Sequence, residues 1–180
     1  MLPLAPVVGL LVVRRIELLR AGSWLPGLRE LALPAACALA LCLLVAWGDY
    51  RLAATAREAA AQLMTCNGKD RPRWFQGHWG FQYYLQEAGA APFDRKSSSL
   101  DTGDLMAIAE NNTNIFQDIY DQGTPLKVLE LAPSRLVSTM NYAAGAGYYS
   151  SGFGPLPYRF GGDFGERYHL ITFRQPVRPR

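Results

Sequence analysis

The longest apolar stretch of the chain runs from Leu31 to Trp47 and contains seventeen residues without a charge. Because a helix rises about 1.5 Å per residue, this stretch spans roughly 25 Å, close to the hydrocarbon thickness of a bilayer once flanking residues are added. Trp47 and Tyr50 follow at its end, as aromatic residues do at a membrane interface. The pattern predicts a membrane-spanning helix, with a buried helix of a soluble core as the alternative.

A second apolar stretch covers residues 1–13 and ends at Arg14 and Arg15. It is too short to cross a bilayer alone, and it lacks the basic start and small-residue cleavage site of a signal peptide. We interpret it as the end of a second membrane helix. The alternative is a short helix that lies in the membrane interface.

The segment between these stretches, residues 14–30, is basic: it carries Arg14, Arg15, Arg20 and Arg29 against two glutamates. Arginines in a short loop favour the cytoplasmic side of a membrane. We therefore expect a membrane region over residues 1–48 and a domain over residues 49–180 on the opposite face, periplasmic if the membrane is a bacterial inner membrane.

Residues 49–180 alternate helical and strand-like patterns. Residues 50–64 predict a helix that continues from the membrane, and residues 79–89 have apolar positions on one helical face with Gly89 as the stop. The strand candidates are residues 73–78, 104–109, 126–131 and 167–173. Together they predict the α/β class: one or two N-terminal transmembrane helices followed by a small layered α/β domain.

Composition excludes several functions. A net charge of +3, from 18 basic and 15 acidic residues, is too small for a nucleic-acid-binding protein. Three cysteines without a C-x-x-C pair and two histidines furnish neither a structural zinc site nor a disulfide framework. No G-x-S-x-G elbow is present, and the glycine-rich residues 143–165 contain no phosphate-binding motif. We therefore nominate no catalytic residue, no metal and no cofactor.

Candidate ligand-binding residues follow two predicted elements. The ends of the first strand and of the strand over 104–109 are expected to meet at one sheet edge, where α/β sheets bind ligands. The residues concerned are His78, Trp79, Gln82, Tyr83, Asn111, Asn112 and Asn114, with Tyr148 and Tyr158 as aromatic candidates in the glycine-rich loop. The alternatives are structural: the His78 imidazole caps the helix or bonds a carbonyl, and the loop aromatics pin their loop to the domain.

The eight residues Gly77–Tyr84, GHWGFQYY, followed by Gly89, carry a resemblance. They resemble a signature in the C-terminal periplasmic domain of bacterial membrane glycosyltransferases of family 39, which have the GT-C architecture. That class includes dolichyl-phosphate-mannose–protein mannosyltransferases and lipid A aminoarabinose transferases. Three weaker segments are similar to the same class: Pro3-x-x-Pro6, Asp49–Ala53, and Phe153–Pro157 together with Glu166–Tyr168.

The resemblance implies sugar transfer from a polyprenyl-phosphate donor, but it covers only the last membrane helices and the soluble domain. The catalytic aspartate of such enzymes lies in their first periplasmic loop, which has no counterpart here. We therefore expect a C-terminal fragment or a separate gene product that is not catalytic alone and works with a larger membrane protein or complex. The alternatives are a structural accessory subunit of another bacterial membrane complex and a small binding protein for lipid or glycan.

Overall fold

In a computed structural model the described residues are 11–15, 18, 28–65, 72–162 and 164–179. The chain divides into two compact units, residues 1–43 and 44–180. Residues 11–15 are helical. Most of the apolar stretch 1–13, most of the basic segment 14–30, and Cys66 lie outside the described residues.

Helix α1, Leu28–Met64, is 37 residues long and includes Pro34 in its first turns. Its portion Ala32–Met64 is long and apolar enough to cross a membrane, with a mean hydropathy of 1.8 over the most apolar stretch. Only 6% of that stretch is buried inside the protein, and Leu33, Leu39 and Leu43 are exposed. This exposure contradicts the alternative of a buried core helix.

The C-terminal half of α1 packs against the domain. Ala59, Ala60 and Leu63 are buried there, so the predicted helix over 50–64 is confirmed as a continuation of α1. Thr55 is also buried, and its hydroxyl lies 3.0 Å from the Tyr168 hydroxyl of the last strand. These contacts fasten α1 to the sheet.

The domain is built on a mixed five-stranded sheet. In chain order its first four strands are β1 (Trp74–Gln76), β2 (Ala91–Pro92), β3 (Leu105–Ala109) and β4 (Gly123–Leu131). The fifth is the last strand of the chain and is numbered β9 (Glu166–Phe173), because four short strands outside this sheet precede it. Their order in space is β2-β1-β3-β9-β4. Strand β1 is parallel to β2 and β3, whereas β9 is antiparallel to β3 and β4. The four predicted strands are therefore confirmed, and β4 begins three residues earlier than predicted.

Strand β3 lies in the middle of the sheet and is buried at all five positions. Leu105, Ala107 and Ala109 belong to a core cluster with residues of α1 and of helix α2 (Trp79–Glu87). Met106 and Ile108 belong to a second cluster that includes Ile119 of the short helix α3 (Gln117–Tyr120). Because both faces of β3 are covered, its sequence is a continuous apolar run.

Residues 132–165 connect β4 to β9. The sequence predicts a loop over 143–165, but short ladders interrupt it. Strand β5 (Val137–Ser138) pairs with β8 (Arg159–Phe160), β6 (Met140–Asn141) pairs with β7 (Ala146–Gly147), and a 3-10 turn covers Ser151–Phe153. Phe153 is buried, so this connection is packed against the domain.

Candidate functional site

The ends of β1 and β3 meet, as the sequence predicts, because the two strands are parallel neighbours. Gly77 follows β1 with a φ of +126°, a conformation that glycine adopts without strain, and turns the chain into α2. The His78 backbone N–H then donates a 2.8 Å hydrogen bond to Asn112 Oδ1 from the end of β3. This bond fixes the start of α2 against the sheet edge.

A cavity of about 320 Å³ opens beside this junction. One side is formed by α1 through Leu52, Ala53 and Ala56, which we call the helix wall. Asp49 lies one turn earlier on α1, and the sheet edge, the start of α2 and the connection after β4 form the remainder: His78, Trp79, Gly80, Phe81, Ala109, Asn111, Asn112, Met140, Tyr149, Glu166 and Tyr168. Pockets of this volume with an apolar lining and a few convergent polar groups are typical of small-ligand sites.

Glu166, the first residue of β9, is the buried carboxylate of the cavity, with 4% of its surface exposed. The Asn111 Nδ2 group donates to its two oxygens at 2.8 and 3.1 Å, and Asn141 Nδ2 donates at 3.1 Å. Burial raises the pKa of Glu166 to about 7, although the hydrogen bonds from the two amides oppose this shift. Glu166 therefore changes charge near neutral pH.

Asn111 is held in place at both ends of its amide. Its Nδ2 group also donates to the Met140 carbonyl at 2.9 Å, and its Oδ1 accepts from the Tyr142 backbone N–H at 3.1 Å. These bonds join the end of β3 to the connection after β4. Asn111 thus positions Glu166 and does not rotate freely toward a ligand.

Asp49 and Tyr149, which also line the cavity, join α1 to the connection after β4. The Tyr149 hydroxyl donates to Asp49 Oδ2 at 2.7 Å, and Thr139 Oγ1 donates to Asp49 Oδ1 at 3.2 Å. The hydrogen bond to Asp49 raises the pKa of Tyr149 to about 12. Tyr149 is 62% exposed, so its ring stands at the surface of the cavity.

Trp79 opens α2 with a φ of +57°, which is rare for a residue with a bulky side chain. Its indole is 51% exposed, and its ring centroid lies 6.2 Å from that of Phe153. The His78 imidazole does not cap α2, contrary to the structural alternative; its Nδ1 lies 3.0 Å from Gln82 Oε1. The junction therefore holds an exposed aromatic ring at the cavity in a strained conformation.

The sequence candidates divide into two groups. Four of them, His78, Trp79, Asn111 and Asn112, line the cavity. The others lie elsewhere: Gln82 faces His78, Tyr83 packs on Tyr84, Asn114 is exposed with a φ of +60°, Tyr148 packs on Tyr149, and Tyr158 packs on Phe160.

Sequence reasoning missed Asp49, Tyr149 and Glu166. Asp49 follows the apolar stretch directly, and Glu166 begins a predicted strand, so both were visible as carboxylates beside apolar sequence. Neither position indicated which residue it would face, because for Asp49 that depends on the path of the connection after β4 and for Glu166 on the register of β3 and β9. Among the described residues, no group of three His, Cys, Asp or Glu side chains is arranged to hold a metal ion.

Comparison with known proteins does not assign the chain to a family. No family model matches the chain, and neither does any curated protein or solved structure.

Proposed function

We propose that the chain is a membrane-anchored domain of a polyprenyl-phosphate-sugar glycosyltransferase system, in which the cavity receives the head group of a lipid other than the phosphate donor, and the donor is bound by a partner membrane portion. The observation that carries this proposal is the composition of the cavity: the apolar helix wall on α1 shares it with the polar groups of Asn111 and Glu166 at the sheet edge and with Asp49, which lies one turn before the helix wall on α1. An amphiphilic ligand matches both sides, with its apolar part against α1 and its head group toward the sheet edge.

The position of the helix wall along α1 supports a ligand that comes from a bilayer. Asp49 is two residues beyond Trp47, where the apolar stretch ends. At about 1.5 Å per residue, Asp49 is roughly 3 Å further along the helix axis, and Ala56 roughly 14 Å. Because the head-group layer is roughly 5–8 Å deep on each side of a bilayer, Asp49 lies at head-group depth and the far end of the helix wall at Ala56 lies beyond it.

The arginine-rich segment 14–30 supports a cytoplasmic position for that segment, so the domain would be periplasmic in a bacterial inner membrane. The segment Gly77–Tyr84, which carries the resemblance to family 39 glycosyltransferases, includes the cavity residues His78, Trp79 and Phe81. In this proposal the domain contributes binding, and the catalytic carboxylate of sugar transfer belongs to a polytopic membrane portion.

An accessory subunit of another membrane complex is the second candidate, and strand β4 favours it. β4 is an edge strand of the described sheet, and its side chains Leu126 and Val128 are 56% and 50% exposed. Exposed apolar side chains on an edge strand are typical of surfaces that a partner covers.

The native protein in its own membranes tests the proposal. We would extract it in mild detergent, separate it on a blue-native gel, and measure the intact masses of every chain in its band. We expect a polytopic glycosyltransferase portion in the same band. We also expect Trp79→Ala to lower sugar transfer from a polyprenyl-phosphate sugar, whereas Glu87→Gln, an exposed change on the same helix, leaves it unchanged.

Two results would contradict the proposal. A band in which the chain accompanies subunits that transfer no sugar would overturn the glycosyltransferase proposal and support the accessory role. Unchanged sugar transfer in Trp79→Ala would show that the cavity plays no part in the reaction.

A further inference from the structure

Around the cavity, the described lining residues include two carboxylates and one imidazole, that of His78. Asp49 and Glu166 are its carboxylates, and among the described lining residues there is neither a lysine nor an arginine. A phosphate or carboxylate head group would have no cationic side chain to pair with and two carboxylates to oppose it. The cavity therefore favours a neutral or positively charged ligand.

Aromatic rings stand beside these carboxylates. Trp79 and Tyr149 are more than half exposed at the cavity, and Tyr168 lines it from β9. Organic cations bind where aromatic faces and carboxylates occur together, because the ring quadrupole and the negative charge both attract them. A neutral ligand would use the rings but would leave the carboxylates without a charged partner.

The hydrogen-bond acceptors discriminate further among cations. Asp49 receives one donor on each oxygen, and Glu166 receives three hydrogen bonds from two amides. Each carboxylate has about four acceptor positions, so both retain acceptor capacity. A primary ammonium supplies N–H donors for these positions, whereas a quaternary ammonium supplies none.

We propose that the cavity binds a primary ammonium group carried on an apolar chain, with Asp49 and Glu166 as its hydrogen-bond acceptors, Trp79 and Tyr149 as its aromatic contacts, and the helix wall against the chain. The inference deepens the proposed function and rests on it only in taking the cavity as a site for amphiphiles. The same chemistry is offered by the head group of an aminophospholipid and by a free alkylamine.

The N-terminus of α2 favours an anionic ligand, which argues against this assignment, so both ligand charges are tested together. The first N–H groups of a helix attract anions, and no side chain caps α2. The Asp49 carboxylate in the same cavity outweighs this partial charge, which amounts to about half an elementary charge, and Glu166 adds to it when it is ionised. An anionic ligand is therefore the competing outcome.

A series of hexyl compounds separates these ligand classes. We would reconstitute the full chain in phosphatidylcholine nanodiscs and titrate it by calorimetry with hexylamine, hexanol, hexyltrimethylammonium, hexyl sulfate and hexyl glucoside, subtracting the heat of empty nanodiscs. We expect hexylamine to bind about tenfold or more tightly than hexanol, as hydrogen bonds to charged groups require, and hexyl sulfate to bind most weakly.

Two variants test whether each carboxylate contributes to ammonium binding. Asp49→Asn and Glu166→Gln should each weaken hexylamine binding about tenfold while hexanol binding changes less than about twofold. Glu87→Gln removes the same charge from an exposed position outside the cavity and should change neither. The comparison of ligands on the unaltered chain tests the inference even if a variant does not fold.

A second pair of nanodiscs identifies the source of the ammonium. Native mass spectrometry of the chain in discs that contain phosphatidylethanolamine would show whether that lipid is retained and displaced by hexylamine. Retention indicates an aminophospholipid. Binding of hexylamine without retention indicates a free amine, and both results support the assigned chemistry.

Three results would overturn the inference. If hexanol or hexyl sulfate binds as tightly as hexylamine, the carboxylates do not recognise a cation. If hexyl glucoside alone binds, the ammonium is wrong and the proposed function stands. If none of the hexyl compounds binds, the inference fails together with the cavity as a site for amphiphiles.

Discussion

At the scale of single residues, the surroundings of Glu166 determine its pKa. It occupies the first position of a strand whose remaining residues are mostly buried, and two asparagine amides from different parts of the chain satisfy its oxygens. The amides reduce the cost of burying the carboxylate but do not remove it, because the pKa of Glu166 remains raised to about 7. The charge at this position is therefore sensitive to pH where the protein works.

The first prediction is a pH dependence of stability. The folded pKa of Glu166 is about 7 against an ordinary value of 4.5, so the stabilisation by its proton is full below about pH 4.5 and is lost as pH rises through about 7. The loss amounts to roughly 3 kcal/mol in the free energy of unfolding. We expect the denaturant midpoint in nanodiscs to fall between about pH 5 and pH 8.

Glu166→Gln isolates this contribution, because the amide is neutral at every pH. The slope of stability against pH should flatten in Glu166→Gln and persist in the exposed control Glu87→Gln. Equal slopes in all three proteins would contradict the assignment of this titration to Glu166.

Among the secondary-structure elements, helix α1 has two halves with different surroundings. Its first half presents apolar side chains outward, and its second half packs on the domain through Ala59, Ala60 and Leu63. Gly48 lies where these halves join and is buried against Val137. The absence of a side chain at Gly48 lets β5 approach the helix closely.

A Cβ atom at Gly48 would collide with the Val137 side chain and lie 3.1 Å from the Val137 carbonyl oxygen. We therefore expect Gly48→Ala to destabilise the domain by about 1–3 kcal/mol, in spite of the better helix propensity of alanine. Gly80→Ala is the matched control, since its Cβ would make only ordinary contacts at 3.7 Å or more. Thermal unfolding in nanodiscs measures both, and a Gly48→Ala variant as stable as Gly80→Ala would disprove the close contact.

The elements with a strong period were predictable from the sequence. α1, α2 and β3 each show a helical pattern or a continuous apolar run, and β9 is rich in aromatic and β-branched residues, so local sequence indicates them. The meeting of His78 with Asn112 was also predictable, because both follow strand ends that parallel pairing brings together. This part of the site requires no knowledge of distant packing.

The other half of the site depends on contacts that sequence patterns do not record. Asp49 and Tyr149 are 100 residues apart, and Asn111 and Glu166 are 55 apart. The first pair forms through the connection over residues 132–165, whose two-residue ladders are too short to leave a periodic signal. For the same reason the sequence does not distinguish Tyr148 from its neighbour Tyr149, which lines the cavity. The second pair follows from the antiparallel register of β3 and β9, in which Ala109 pairs with Tyr168.

The whole molecule is proposed to be an anchored domain whose ligand site begins where the apolar stretch ends. This account requires the first half of α1 to lie in a bilayer. Cys37 and Cys42 are free and exposed within that half, which provides two natural probes.

We expect both cysteines to resist a membrane-impermeant maleimide in intact membranes and to react after detergent is added, as read by peptide mass spectrometry. A cysteine introduced by Ser99→Cys, at an exposed position of the domain, should react before detergent when the reagent reaches the domain side. Immediate labelling of Cys37 or Cys42 would show that α1 does not cross the membrane.

Photo-crosslinking from the helix wall tests the central claim most directly. We would place benzoylphenylalanine at Ala53, which lines the cavity, or at Tyr50, which is exposed on the same helix and nearer to Trp47, and identify the adducts formed in native membranes. The account predicts a lipid adduct at Ala53 that exceeds the one at Tyr50 and disappears when Ala56→Trp fills the cavity. Equal adducts at both positions that persist in Ala56→Trp would show that the lipid lies near the helix and not in the cavity.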